Sequence, residues 1–179
     1  MGRVSPLSQI LLPDPGLVVL VGAAGSGKST FAARHFAPDE VLSSDAFREL
    51  VSGDAADQSA TGAAFGALHA ALDRRLRERL LTVVDATNVL PRARRRLLGS
   101  AARAGAPAVA IVLDLPGPVV LARNAARSDR VVPEGAVRRQ LADVARSART
   151  GVLEVEGFAL VVRLTDPVDV DAVRVVRAR

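Results

Sequence analysis

Leu17-Val18-Val19-Leu20-Val21-Gly22-Ala23-Ala24-Gly25-Ser26-Gly27-Lys28-Ser29-Thr30 is the stretch on which the fold turns. Its first five residues are a short β-branched and leucine run closed by glycine, the pattern of a buried strand. Gly22 to Ser29 match the spacing G-x-x-x-x-G-K-[ST], and Ser29 to Phe36 read as a helix. Strand, glycine loop and helix in that order are the context such a loop needs to hold phosphate. Its glycines admit conformations that turn successive N–H groups inward, and the helix start adds its positive dipole end. Gly25, Ser26, Gly27, Lys28, Ser29 and Thr30 are therefore the candidate nucleotide-binding residues. Lys28 is expected on the β- and γ-phosphates and the Ser29 hydroxyl on Mg²⁺.

Outward from this loop, strands and helices alternate. Val41-Leu42 reads as a strand ending at Ser43-Ser44-Asp45, Leu81 to Val84 as a third, Val109 to Leu113 as a fourth and Leu160 to Val162 as a fifth. Helices are expected over Gly62 to Leu80, Pro91 to Ala104, Pro118 to about Asn124 and Glu134 to Arg149, with Thr165-Asp166-Pro167 opening a terminal one. On the helix from Gly62, Phe65, Leu68, Leu72, Leu76 and Leu80 share a face. Residues 1–16 read as an irregular lead-in. The pattern predicts one α/β domain of 179 residues, a mainly parallel five-stranded sheet with helices on both faces. In such sheets ligands bind beyond the carboxyl ends of the strands.

Composition bounds the rest. The chain has no cysteine, which excludes disulfides and thiolate metal sites and agrees with a reducing cytoplasm. No apolar run approaches the roughly 20 residues of a spanning helix, and Leu17 to Val21 is too short for a secretory segment. A soluble cytoplasmic protein with no membrane partner is expected. Net charge is +5 and pI about 11.2, a balance that favours anionic partners such as nucleic acid. Genomic base composition accounts for arginine over lysine, but not for the position of the single lysine, Lys28.

A switch GTPase needs an Asn-Lys-x-Asp motif, which a chain with one lysine in its glycine loop lacks. A motor or AAA-type ATPase usually has a strand ending in Asp-Glu on a longer chain. Here Val83-Val84-Asp85 runs into Ala86-Thr87-Asn88, which fits a nucleotide or metabolite kinase better. A small-molecule kinase acting on a sugar, nucleoside or antibiotic, and a non-catalytic ATP-binding regulator, share the glycine loop. In Ser43-Ser44-Asp45-Ala46-Phe47-Arg48, Asp45 can accept a proton from an attacking hydroxyl, and Arg48 at i+3 can bind a neighbouring phosphate. The same spacing also fits a helix cap with an exposed ion pair. Arg123, Arg127 and Arg130 lie on a segment, about 123–149, that can close over a nucleotide, with Arg123 and Arg127 four apart. On charge pattern alone a solvated basic face is the favoured reading of them. His35 and His69 read as packing or surface residues, and Arg74, Arg75, Arg77 and Arg79 as a solvated face. Arg92, Arg94, Arg95 and Arg96 read first as solvated and second as a nucleic-acid track. With five aromatics, all Phe, few bases can stack, so phosphate and sugar contacts should dominate any nucleic-acid binding.

Taken together, Leu17 to Thr30, Ser43-Ser44-Asp45, Arg48, Asp57-Gln58, Thr61 to Phe65, Thr82 to Val89 and Arg123 to Arg130 resemble the kinase domain of bacterial polynucleotide kinase–phosphatase proteins. The similarity runs from about Leu17 to about Leu164. It implies a 5′-hydroxyl kinase that moves the γ-phosphate of ATP, or another NTP, onto the 5′-end of DNA or RNA, in repair of nucleic-acid ends. Asp45 would be the general base, Arg48 would bind the adjacent phosphate, and Gln58, Thr61 and Asn88 would help hold the acceptor. Asp85 would sit near Mg²⁺ through water, and Arg123, Arg127 and Arg130 would form the lid. Members of that family continue into phosphatase and ligase modules, absent from these 179 residues, so an excised domain or a free-standing kinase is expected.

Overall fold

The computed structural model describes residues 9–53, 61–128 and 130–178 of the chain. Its centre is a five-stranded sheet in the order β3-β4-β2-β5-β6, with every pairing parallel. The strands are β2 (Leu17–Val21), β3 (Val41–Ser43), β4 (Thr82–Asp85), β5 (Ala108–Leu113) and β6 (Leu160–Leu164). β2, β4 and β5 are buried along their whole length, as continuous apolar runs covered on both faces must be.

Alternation within each strand feeds two cores. Val18 and Leu20 of β2, with Val109, Ile111 and Leu113 of β5, pack against Phe31, Ala32 and Phe36 of the first helical layer. Leu17, Val19 and Val21, with Ala108, Ala110 and Val112, pack on the other face against Leu68, Leu72, Leu76 and Leu97. The covering helices are α1 (Lys28–His35), α2 (Ser44–Ser52), α3 (Thr61–Arg77), α4 (Pro91–Ala104), α5 (Gly117–Ala125), α6 (Glu134–Ser147), α7 (Val152–Glu156) and α8 (Pro167–Ala172). Pro91 starts α4 where its missing N–H is harmless, and Asp166 caps α8 by accepting from the Val168 N–H at 2.8 Å.

Chain order places β2 in the middle. From it the chain passes out to β3, returns to β4 beside β2, then crosses to β5 on the other side. The sheet therefore reverses its winding at β2, and a crevice opens beyond the carboxyl ends of β2, β4 and β5.

Three departures from the sequence expectations stand out. Residues 9–13 are not irregular: β1 (Gln9–Pro13) pairs in parallel with β7 (Arg174–Ala178), and Ile10 and Leu12 are buried in the core of the α1 face. A strand this short carries little pattern, and its partner lies at the far end of the chain. α3 ends at Arg77, so Leu80 leaves the apolar stripe and is exposed, the chain turning through Arg79 with φ +57. Between α6 and β6 lies α7, bracketed by Gly151 and Gly157, both in the left-handed conformation. Among the described residues no helix is long and apolar enough to cross a membrane.

Candidate functional site

The glycine loop leaves β2 and enters α1 at Lys28. Gly25 and Gly27 hold φ +85 and +93, where an L side chain is strained. A Cβ on Gly25 would also lie 2.6 Å from the Val120 carbonyl oxygen. The loop is pinned from outside, since Gly22 N–H donates to the Thr87 carbonyl at 3.0 Å. Within it, Ser26 N–H closes a turn on Ala23 O at 3.1 Å. The Ser26 hydroxyl is buried without a hydrogen-bond partner.

Lys28 is buried, and its ammonium donates to Ala23 O at 2.8 Å. Desolvation lowers its pKa from 10.5 to about 8, opposed by the Asp85 carboxylate and reinforced by the Arg127 guanidinium. A cation so placed gains from any anion that arrives. Ser29 and Thr30 are exposed at the mouth of the loop.

At Asp45 and Arg48 the structure shows the capped helix and the i,i+3 ion pair. Ser43 caps α2, its hydroxyl accepting from Ala46 N–H at 3.4 Å, and Asp45 forms an ion pair with Arg48 one turn on. The pair is half-buried: Arg48 is only 6% exposed, while the Asp45 side chain is 43% exposed. Burial first, then the neighbouring Arg130, lowers the Arg48 pKa, a penalty that an anion would offset. Arg130 lies 3.5 Å from the same Asp45 oxygen. A cavity of about 250 Å³ brings these groups together: Lys28, Ser29, Asp45, Arg48, Asp85, Arg127 and Arg130 all line it.

Two further cavities extend from this centre. One of about 470 Å³ runs from Gly25, Gly27 and Ser29 past Thr30 and Arg34 to Val170 and Asp171, under Arg123 and Arg127. Arg123 reaches over the loop, its Nη1 3.6 Å from where a Cβ on Gly27 would stand. The other, about 690 Å³, lies on the far side and is lined by Phe65, Leu68, Thr87, Asn88, Val89, Arg92, Arg96, Arg139 and Gln140 among others. The small cavity therefore has an anion-loving pocket on one flank and a larger, partly apolar one on the other.

Asn88 borders the larger cavity, but its amide nitrogen donates to Leu20 O at 2.8 Å and thus ties the β4 loop to β2. Gln58 lies outside the described residues, and Thr61 enters only as the first residue of α3. Asp85 is buried at the end of β4, facing Lys28 and Ser29 across the small cavity. Arg94 departs from the expectation of a solvated or nucleic-acid-binding side chain. It is fully buried, donates to both Glu156 carboxylate oxygens at 2.7 and 2.6 Å, and to the carbonyls of Asn88 and Val89 at 2.8 Å each. Arg75 also leaves the solvated set, donating to Leu81 O at 3.0 Å. His35 packs on Phe31 at 4.5 Å between ring centroids, as expected of a structural histidine.

Gln140 was not singled out from the sequence, nor were Arg34, Val170 and Asp171 at the far end of the loop pocket. Gln140 of α6 accepts the Ala24 N–H of the glycine loop at 2.8 Å and lines both the small and the large cavities. A lone glutamine on an amphipathic helix carries no signal, and only the packing of α6 over the loop reveals it.

Residues 17–149 match a family model described as an AAA domain. Among solved structures, the chain is similar at 26% identity and TM-score 0.64 to a chain of the Pnkp1/Rnl/Hen1 RNA repair complex, covering 76% of this chain and 46% of that one. It thus spans less than half of that relative's length. A gluconokinase from Sinorhizobium meliloti is similar at 20% identity and TM-score 0.52, over 86% of this chain and 84% of that one. A shikimate kinase from Acinetobacter baumannii is similar at 20% identity and TM-score 0.54, over 87% of each. At those two identities the likeness shows the fold alone. No curated protein matches. The sequence expectation against an AAA-type ATPase thus meets a family model of that description, while β4 does end in the single acid Asp85 as read. With a glycine loop on β2 and a parallel sheet of this order, the chain belongs to the AAA domain family and has a P-loop nucleotide-binding fold, one shared with kinases of known structure.

Proposed function

We propose that this protein is a polynucleotide 5′-hydroxyl kinase that transfers the γ-phosphate of ATP to the 5′-end of DNA or RNA. The observation that carries it is the small cavity, where the loop cation Lys28, the carboxylate Asp45 and the buried Arg48 face one another. A carboxylate beside a phosphate-binding cation suits an acceptor whose hydroxyl sits next to a phosphodiester, as a 5′-end does. The likeness to a chain of an RNA repair complex supports the same reading.

In this mechanism the nucleotide lies in the pocket under Arg123 and Arg127 with its γ-phosphate at Lys28. Arg48 holds the phosphate next to the attacking hydroxyl. The acceptor oxygen forms a bond to the γ-phosphorus as the bond to the β–γ bridging oxygen breaks, the proton passes to Asp45, and ADP leaves. Lys28, Arg127 and Arg130 offset the charge spread over the transferring group. The Ser29 hydroxyl and the single Asp85 carboxylate are a donor set that fits Mg²⁺ held jointly with phosphate oxygens. When bound, the ion would neutralise charge on the β- and γ-phosphates.

The test uses γ-labelled ATP, Mg²⁺ and a short single strand with a 5′-hydroxyl, beside a 5′-phosphorylated copy. Label should enter only the first strand. Asp45→Asn should lower transfer by about 10²–10⁴-fold with nucleotide binding intact. If neither strand is labelled while ATP still binds, the acceptor is not a nucleic-acid end, and transfer to a sugar or nucleoside would make this a small-molecule kinase.

A further inference from the structure

Arg92, Arg94, Arg95 and Arg96 form one run of sequence, but α4 sends them to different places. Arg94 turns inward to Glu156. Arg92 and Arg96, four apart, share a face and border the 690 Å³ cavity. Arg139 reaches the same cavity from α6. All three are exposed, and among the described residues none of them forms an ion pair. Among the described residues the one carboxylate lining that cavity, Asp143, is already paired with Arg146. The floor is apolar: Leu68 and Leu97 are buried beneath it, with Phe65 half-buried at its inner end. Phe65, Ala86, Thr87 and Gln140 line both this cavity and the one holding Asp45 and Arg48, so the two are continuous.

An apolar floor under three uncompensated guanidiniums suits a ligand with flat apolar parts and repeated negative charges. A small sugar or nucleoside has no use for the charges, whereas a nucleic-acid strand supplies both features. We propose that the groove between α4 and α6 is the track for the acceptor strand, with Arg92, Arg96 and Arg139 holding the backbone phosphates beyond the one at Arg48. This rests on the polynucleotide kinase function and extends it: the enzyme should distinguish acceptors by length. Contacts to phosphates alone predict weak base preference and a strong dependence on salt.

The experiment compares a 3′-phosphorylated nucleoside with 5′-hydroxyl single strands of two, four and eight nucleotides, by kcat/KM for transfer and by fluorescence anisotropy for binding of the labelled eight-mer. Wild type should gain at least tenfold in kcat/KM from the nucleoside to the longer strands. Arg96→Glu with Arg139→Glu should erase that gain, leave the nucleoside rate within about threefold, and reduce the salt slope of eight-mer binding by more than one. The Lys pair at the same positions should restore both and shows that folding is not the cause of the loss. If wild type labels nucleoside and eight-mer equally, or the Glu variant keeps the full length dependence and salt slope, the track is refuted while the kinase function stands. If no strand is labelled or bound, both fail together.

Discussion

Two loops at the carboxyl edge of the sheet each enclose a cation. After β4, Arg94 is fully buried and saturated: two carboxylate oxygens and two backbone carbonyls take its donors. After β2, Lys28 is nearly as buried but meets a single carbonyl, with Asp85 close enough only to oppose part of the desolvation. The first arrangement fixes a loop, since Arg94 clamps the segment that carries Asn88 with φ +48. The second leaves charge without an adequate partner, which is how a site awaiting an anion is built.

The largest expected effect sets these two cations against each other. Lys28→Met should abolish phosphoryl transfer and yet stabilise the nucleotide-free protein. The sign follows from its folded pKa of about 8, below the unfolded 10.5: the folded state binds fewer protons between those values, so stability rises with pH across that window. Below it the penalty is present in full, about 3 kcal/mol, and the Met variant escapes it. Thermal melting at pH 7 reads the outcome, and a lower midpoint than wild type would mean that Lys28 is a compensated structural cation after all.

Arg94→Met should do the opposite, losing about 3 kcal/mol because Glu156 and two carbonyls are left unpaired, with transfer per folded molecule only mildly changed. Urea unfolding measures the first, and active-site-normalised rates the second. A smaller effect separates the same cations by pH. ATP affinity of the free enzyme should be level below pH 8 and fall by up to tenfold per unit above it, as Lys28 loses its proton. A flat profile to pH 9.5 would place the phosphate away from Lys28. The smallest effect is at the bridge between α6 and the loop: Gln140→Ala gives up the Ala24 N–H bond, about 1 kcal/mol, and should weaken ATP or acceptor binding several-fold. Titration calorimetry with ATP distinguishes the two.

Most of the sheet was legible because buried parallel strands write themselves as apolar runs, and Leu17 to Lys28 also names its own chemistry. Asp45 and Arg48 were legible as a pair, but the burial of Arg48 and the shared cavity with Lys28 were not, since they depend on how α2 packs against α3 and the sheet. Arg94 was misread because four arginines within five residues look alike until a helix phase assigns each a direction. Gln140 and the β1–β7 ribbon were invisible for a common reason. Each is a contact between elements distant in sequence, with no local propensity to announce it.

That ribbon has a kinetic meaning. Ile10 faces Val175 across almost the whole chain, so the closure can form only once the sheet between them exists. It should be the last piece assembled and the first to open. Its opening is not confined to the edge, because α8, which immediately precedes β7, carries Val170 and Asp171 into the nucleotide pocket, and Asp171 holds Arg34 of α1 at 2.9 Å. Opening of the β1–β7 pair is thereby linked to the pocket at Arg34 and Asp171, and nucleotide binding should slow amide exchange in two strands that do not line it.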